Sequence, residues 1–345
     1  MPHVSVNIVT WNSLKYLPLL FASLRRQTFS DISVLVIDNG SNDGVLEFVR
    51  ANYPEVTILR NVRNLGFSAA HNQGIKYVAS RAAGAADEQY VLVTNPDTIL
   101  TPTFIEQLVL AAEAEPTAAA WSGKLLRVEW VVEGDFEDVR RTTVIDSTGL
   151  RLLRSRRAIE RGAGEQDQER YHEAAEIFGV SGALGIYRLS ALETVAMNGQ
   201  YFDEAFHAYK EDVDLAWRLR LAGWRAWYVP AAVAYHFRRA AGHKRTALAE
   251  IAANRSKKSS LINYLSYRNH LLTLLKNEHG RNFLRHALWI GGYEGAKFFY
   301  LLLCEPKTLR AIIDWIQWFP RTLQQRKMIM ARTKVSAADM RRWFE

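Results

Sequence analysis

The chain has 345 residues, 48% of them hydrophobic and 23% charged, which suits one large globular domain or two smaller ones. Its one cysteine, Cys304, excludes an internal disulfide framework and a cysteine-ligated zinc site, and fits a reducing compartment. The net charge of +8 is uneven: residues 1–237 carry 23 basic and 29 acidic side chains, a balance of −6, and residues 238–345 carry 21 and 7, a balance of +14.

An apolar strand is expected at 4–9, almost at the first residue. No basic segment followed by a long apolar run precedes it, so no signal peptide is expected. A helix pattern runs over 14–27, with Pro18 tolerable in its first turns. Strands at 33–38, 56–59 and 90–94 then alternate with helices at 45–51, 67–82 and 104–114. Apolar, β-branched strands in this alternation predict an α/β fold, a mostly parallel central sheet with helices on both faces. Residues 127–175 read as less regular, with a charged surface turn at 134–141 and a mobile loop at 151–176, where apolar residues are few. Order returns at 177–187. A helix is expected from about Ser190, another from the acidic segment to about Ala222, and strands at 224–229 and 232–236. From Leu261 onward the pattern is helical and rich in aromatics. The most apolar stretch, 283–304, is interrupted by Arg285, His286, Glu294 and Lys297, which argues against a membrane-spanning helix. Basic helices with Trp and Phe suit either a membrane interface or packing on the protein.

The chemistry-bearing residues fall at strand ends, where an open parallel sheet binds ligands. Strand one ends at Thr10-Trp11-Asn12, strand two at Asp38-Asn39-Gly40-Ser41-Asn42-Asp43, and strand four at Asn95-Pro96-Asp97. No glycine-rich dinucleotide fingerprint and no Walker lysine loop is present, which disfavours a dinucleotide enzyme or a P-loop ATPase. A phosphate bound here needs a metal for much of its positive charge, and a carboxylate such as Asp97 suits Mg²⁺ or Mn²⁺. Further on, Glu211-Asp212-Val213-Asp214 places three carboxylates within four residues, costly to bury unless a cation or a proton transfer uses them. Asp214 lies about 200° around a helix from Asp212 and reads as a first-turn residue favoured by the helix dipole. Taken singly, each feature also has a structural reading: Asp38 as a turn residue, Asn95-Pro96-Asp97 as a plain turn, His236 as a packed histidine.

Taken in order, the motifs resemble family 2 glycosyltransferases. The likeness rests on Val6 to Asn12, on Val36 to Gly44, on Asn61-Val62-Arg63-Asn64-Leu65-Gly66-Phe67 through Gly74, on Asn95-Pro96-Asp97 in place of an Asp-x-Asp metal motif, and on Glu211-Asp212 in place of the catalytic acidic pair. It covers about residues 3–240. The Asn-Pro-Asp variant and Tyr267-Arg268-Asn269-His270 look most like the rhamnosyltransferase-type members.

The resemblance implies a GT-A fold and inversion at the anomeric carbon. It implies a catalytic domain over 1–240, with a nucleotide-sugar half (1–120) and an acceptor half (121–240), and a basic, aromatic helical region over 241–345. Carried over residue by residue, Asp38 binds the base edge, and Thr10 and Asn12 line the nucleotide pocket. Asn64, Gly66, Phe67, Asn72 and Asn95 contact the nucleotide sugar or shape its loop. Asp97 and His236 hold Mg²⁺ or Mn²⁺. Asp212 is the general base, with Glu211 assisting. Asn95 departs from the motif's first carboxylate, so the metal is expected to lean on the diphosphate and on His236.

The expected reaction moves a sugar, best matched by rhamnose from dTDP-rhamnose, to a saccharide or lipid-linked acceptor in bacterial polysaccharide or envelope assembly. Expected partners are that donor and acceptor, a membrane face met peripherally by 261–345, and a second copy of the chain. No nucleic-acid motif is present, and the expected location is the cytoplasm, at the inner face of the plasma membrane. Two other readings predict different behaviour. A sugar-phosphate nucleotidyltransferase releases pyrophosphate, and it lacks its glycine- and basic-rich signature at Thr10-Trp11-Asn12-Ser13. A membrane or anionic-surface adaptor binds through the +14 segment without affinity for a sugar nucleotide.

Overall fold

The structure is a computed structural model that describes residues 1–82, 86–133, 136–237, 255 and 258–345. Strands β1 (His3–Thr10), β2 (Ile32–Asp38), β3 (Thr57–Arg60) and β4 (Gln89–Thr94) form a parallel set in the order β3-β2-β1-β4. They alternate with α1 (Leu17–Leu24), α2 (Val45–Asn52) and α3 (Gly66–Arg81). Successive side chains of a strand point to opposite faces, and here both faces are covered. Val4, Val6 and Ile8 of β1 pack against Leu17, Leu20 and Phe21 of α1 and against α4 (Phe104–Ala114). Val91 and Val93 of β4 face Ile75 and Val78 of α3 together with α5 (Leu189–Val195) and α6 (Glu211–Leu221). That double burial is why these strands read as continuous apolar runs.

Beyond β4 the sheet is mixed. A short β5 (Thr98–Leu100) pairs with the last strand of the sheet. The expected irregular region instead holds a long hairpin, β6 (Ala118–Glu133) with β7 (Phe136–Ser147), then a small sheet of β8 (Leu150–Leu152) with β9 (Ala158–Glu160), and β10 (Ala175–Glu176). β11 (Leu184–Arg188) inserts antiparallel between β4 and β6, and β12 (Arg225–Phe237) runs parallel to β6. The two strands expected at 224–229 and 232–236 are one strand with a register break between Val229 and Val233, where Pro230 withholds an amide proton from the ladder.

The expected mobile loop at 151–176 is therefore a correction. Its polar residues have fixed partners far along the chain. Arg156 is buried, ion-paired with Glu278, and lies 3.6 Å from the ring centre of Phe344. Glu345 N–H donates to the Leu152 carbonyl at 3.1 Å, and Arg154 N–H to the Glu345 carbonyl at 2.8 Å. The expected surface turn is likewise strand from Phe136 on; its residues 134–135 and the expected 240/241 boundary lie outside the described residues.

The C-terminal region is helical as expected: α7 (Ser260–Asn277), α8 (Gly280–Arg285), α9 (Ala287–Cys304), α10 (Arg310–Gln317), α11 (Phe319–Ala331) and α12 (Ala337–Arg341). Part of it packs on the sheet domain. Ile329, Met340 and Phe344 join Phe178, Trp217 and Leu150 in one apolar cluster. Lys276 of α7 is fully buried and bridges Asp203 at 2.8 Å and Asp214 at 2.9 Å. Asp214 thus does more than favour a helix start. It anchors α6 to α7, and it also receives Arg218 Nε at 2.9 Å and Asn277 Nδ2 at 2.8 Å. Among the described residues no helix is long and apolar enough to cross a membrane. Helix α9 is inverted relative to an ordinary surface helix. Glu294, Lys297 and buried Leu301 lie on its inner side, whereas Leu288, Phe299, Leu302 and Leu303 are exposed by 86%, 63%, 49% and 80%.

Candidate active site

The loops after β1 and β2 are sewn together by side chains from both. The buried Asp38 carboxylate accepts from Thr10 Oγ1 and from Ser41 N–H, each at 3.2 Å. Asn12 Oδ1 accepts from Asn42 N–H at 3.0 Å, and Asn12 N–H donates to Ser41 Oγ at 3.0 Å. Thr10, Asn12 and Asp38 are therefore one structural unit at the sheet edge. Asn39, given no role from the sequence, extends it: its Nδ2 donates to Asn64 Oδ1 and to the Gly66 carbonyl at 3.3 and 3.2 Å.

Gly66 opens α3 at φ 85°, and a Cβ there would come within 2.4 Å of His207 Nδ1. Only glycine lets the two segments touch. Asn72 is placed differently from the sequence expectation. It is buried in α3, accepts from the Tyr201 and Phe202 amides at 3.1 and 2.9 Å, and donates to the Phe202 carbonyl at 2.8 Å and to Glu204 at 3.0 Å. These bonds use its side chain for scaffold, leaving no free N–H toward a nucleotide.

The segment leading into α6 is strained. His207, Tyr209 and Lys210 have φ of 62°, 72° and 71°, a region that costs non-glycine residues about 1–3 kcal/mol each. Asn269 of α7 clamps it: its Nδ2 lies 2.9, 3.0 and 2.7 Å from the carbonyls of Phe206, Ala208 and Tyr209. Arg268 adds a 2.7 Å bond to the Ala205 carbonyl. The Tyr267-Arg268-Asn269-His270 run thus braces the turn that presents Glu211 and Asp212.

Asp212 Oδ2 accepts from Gly182 N–H at 3.1 Å, and its Oδ1 accepts from Val213 N–H at 2.8 Å. Two amides fix the carboxylate while leaving it lone pairs. Glu211 is buried, and its Oε2 has no hydrogen-bond partner among the described residues. Burial, followed by the charge of Asp212, pushes its pKa up to about 8, so Glu211 carries a proton at neutral pH. Of the adjacent pair, Asp212 is the one available as a base.

Asp97 and His236 also come together. His236 Nε2 lies 3.3 Å from the buried Asp97 Oδ1, and His236 Nδ1 is held at 2.8 Å by Asp146 Oδ2. Burial alone would lower the His236 pKa, but the hydrogen bonds to Asp146 and Asp97 push it up to about 10. Asp146 was missed because it ends a strand in the stretch read as irregular. Among the described residues no three His, Cys, Asp or Glu side chains are grouped to hold a metal by themselves. A metal bound there would displace the Nε2 proton of His236; one carboxylate and one imidazole oriented by Asp146, completed by phosphate oxygens, would then match how Mg²⁺ or Mn²⁺ is held with a nucleotide.

Asn95, His236, Asp146, Glu211, Asp212 and Phe67 all line one cavity of about 690 Å³. Thr10, Asn12, Asp38, Asn64, Gly66 and Asn72 do not line it. The cavity walls also carry cations that the sequence reading gave no role, including Arg157, Lys210 and Lys297.

Comparison with known proteins gives the family and the fold. The family model for glycosyl transferase family 2 matches residues 5–194. Over 234 residues the chain is 33% identical to the N-acetylglucosaminyl-diphospho-decaprenol L-rhamnosyltransferase of Mycobacterium tuberculosis, covering 66% of this chain and 74% of that one. The structure of GalNAc-T7 with UDP, GalNAc and Mn²⁺ superposes with a TM-score of 0.55 at 14% identity, over 80% of this chain and 48% of that one. The chain thus spans about half of GalNAc-T7. The S. aureus TarS 1–349 complex with UDP-GlcNAc gives 0.52 at 16% identity, over 99% and 92% of the two chains. At such identities the structural likeness speaks for the fold alone.

Proposed function

The chain belongs to glycosyl transferase family 2, and from that premise we propose that it is an inverting, metal-assisted transferase that moves rhamnose from dTDP-rhamnose to a saccharide on a lipid-linked acceptor. Its fold is the GT-A arrangement. The observation that carries the reaction type is Asp212, held by two amides on the wall of a cavity that also contains Asn95 and His236. In this reading the acceptor hydroxyl gives its proton to Asp212 as its oxygen bonds to the anomeric carbon. The nucleoside diphosphate leaves from the opposite face. Thr10, Asn12, Asp38 and the Asn64–Phe67 turn hold the nucleotide beside the cavity, and Asn95 meets the sugar-diphosphate. A divalent cation held by Asp97 and His236 would supply charge stabilisation to the departing diphosphate. Rhamnose rests on the activity of the Mycobacterium tuberculosis relative and on the sequence motifs. Incubation with a panel of nucleotide sugars tests it: release of dTDP from dTDP-rhamnose supports it, and turnover of another donor alone removes rhamnose.

Asp97→Ala is expected to abolish Mn²⁺-dependent tightening of nucleoside-diphosphate binding. Asp146→Asn, which reaches the metal only through His236, is expected to weaken it about ten-fold. Calorimetric Mn²⁺ titration in the presence of dTDP reads both, and an unchanged titration in Asp97→Ala removes Asp97 from the site.

The proposal includes the division at 120 and 240 into donor, acceptor and helical regions. It also includes peripheral membrane contact through the outward row of α9, where large apolar side chains are exposed beside a basic region. Replacing Leu302 and Leu303 together by Glu should release the protein from anionic vesicles in a flotation assay. Undiminished flotation of that variant would assign the contact elsewhere.

A further inference from the structure

The cavity holds a second set of charges that proton transfer and metal binding leave unused. Lys297, on the inner side of α9, lies 4.2 Å from the ring centre of Tyr267 and 5.4 Å from that of Tyr293, and among the described residues makes no ion pair. Its nearest acidic neighbour on the helix, Glu294, is taken by His270 at 2.7 Å. Arg157 lines the same cavity, and among the described residues it makes no ion pair with a carboxylate. Lys210, immediately before Glu211, makes a single 3.5 Å contact with the Ala158 carbonyl, although it feels the charges of Asp212 and Glu160. Arg255 lies nearby but is neutralised by Glu305 at 2.6 Å. Burial pushes the Lys297 pKa down to about 7 against the attraction of Glu294, and the like charges of Arg255, Lys210 and Arg157 add to the fall.

The same cavity is lined by Glu160, Glu211 and Asp212, but among the described residues none of them is ion-paired with Arg157, Lys210 or Lys297. These three cations oppose one another, and a bound anion relieves that repulsion. In the proposed reaction the donor's diphosphate meets the divalent cation that Asp97 and His236 would hold. The cations stand instead on the segment after β8, on the turn before α6 and on α9. The helix that carries Lys297 also bears the exposed apolar row Leu288, Phe299, Leu302 and Leu303, which suits a ligand that joins phosphate to hydrocarbon.

We propose that Arg157, Lys210 and Lys297 form the subsite for the phosphate or diphosphate group of the lipid-linked acceptor, and so orient its sugar hydroxyl toward Asp212. This rests on the glycosyltransferase reading. The test uses the full chain with Mn²⁺ and saturating dTDP, which fills the donor side, and farnesyl diphosphate as the probe in calorimetry. Expected are binding by the wild type, at least ten-fold weaker binding by Lys297→Met and by Arg157→Gln, retention within three-fold by Lys297→Arg, and unchanged dTDP affinity throughout. Inorganic pyrophosphate should bind at least ten-fold more weakly than farnesyl diphosphate. Equal affinity for the two would make the cluster a general anion site and overturn the assignment. So would farnesyl diphosphate binding that dTDP abolishes, or variants that bind like the wild type. A wild-type protein with no dTDP affinity would instead sink the sugar-nucleotide reading itself, a separate result.

Discussion

Asp212→Asn is expected to lower kcat for sugar transfer by about a thousand-fold while leaving dTDP affinity within about two-fold of wild type. The amide keeps the size of the carboxylate but cannot take the acceptor proton. Its oxygen can still accept from one of the Gly182 and Val213 amides that hold Asp212 at 3.1 and 2.8 Å. The loss therefore falls on chemistry rather than on folding. The matching Glu211→Gln variant separates the two neighbours. Glu211 is already neutral at pH 7, because burial and Asp212 push its pKa to about 8. A neutral amide in its place should retain most of the activity at pH 7. The variant should also differ in stability. A carboxyl group whose folded pKa is raised contributes stability that is full below its unfolded pKa and is lost as pH rises through the folded one. Wild type should thus lose about 1.4 kcal/mol per pH unit between roughly pH 4.5 and 8 from this group, and Glu211→Gln should not. Equal loss of kcat in both variants would make the pair a shared structural feature, and full activity in Asp212→Asn would end its role as base.

The first hundred residues were legible because β1, β4 and the second half of β2 are buried on both faces. Local pattern and final environment agree there. The site motifs were legible because strand ends place them at one sheet edge: Thr10, Asn12 and Asp38 meet through their own hydrogen bonds, and Asp97 meets His236. What could not be read was set by contacts across long separations. Arg156 looks like a loop residue until Glu278 and Phe344 close over it. Asn72 resembles a nucleotide contact, yet its side chain is consumed by residues 201–204. Asp146 has no local signature, since its importance comes from His236, 90 residues on. The run at Tyr267 was recognisable as a motif, but only the fold shows Asn269 gripping the strained turn before Glu211.

Lys276→Met is expected to destabilise the protein by about 3–5 kcal/mol, the range for removing one member of a buried ionic cluster. Lys276 is the shared cation of Asp203 and Asp214, with no exposed surface. Its loss leaves Asp203 with Arg321 and Gln325 at 2.9 Å each, and Asp214 with Arg218 at 2.9 Å and Asn277 at 2.8 Å. Methionine fills the volume of the lysine stem, so the effect isolates charge from packing. Burial alone would raise the Asp203 carboxyl pKa; Lys276 and Arg321 hold it well below the usual range instead. A depressed carboxylate contributes stability that is present above its unfolded pKa, about 3.9, and is lost as pH falls toward the folded one. In the variant Asp203 protonates more readily, so the gap from wild type should be widest near neutrality and narrow below about pH 4. Urea unfolding at both pH values measures this, and a variant within about 1 kcal/mol of wild type at pH 7 would remove the cluster as a support of the fold. The functional consequence follows from the same helix. Lys276 lies two turns after Asn269 on α7, and Asn269 holds the turn that aims Asp212. At temperatures where Lys276→Met remains folded, kcat should fall while dTDP affinity, set by the loops after β1 and β2, stays close to wild type.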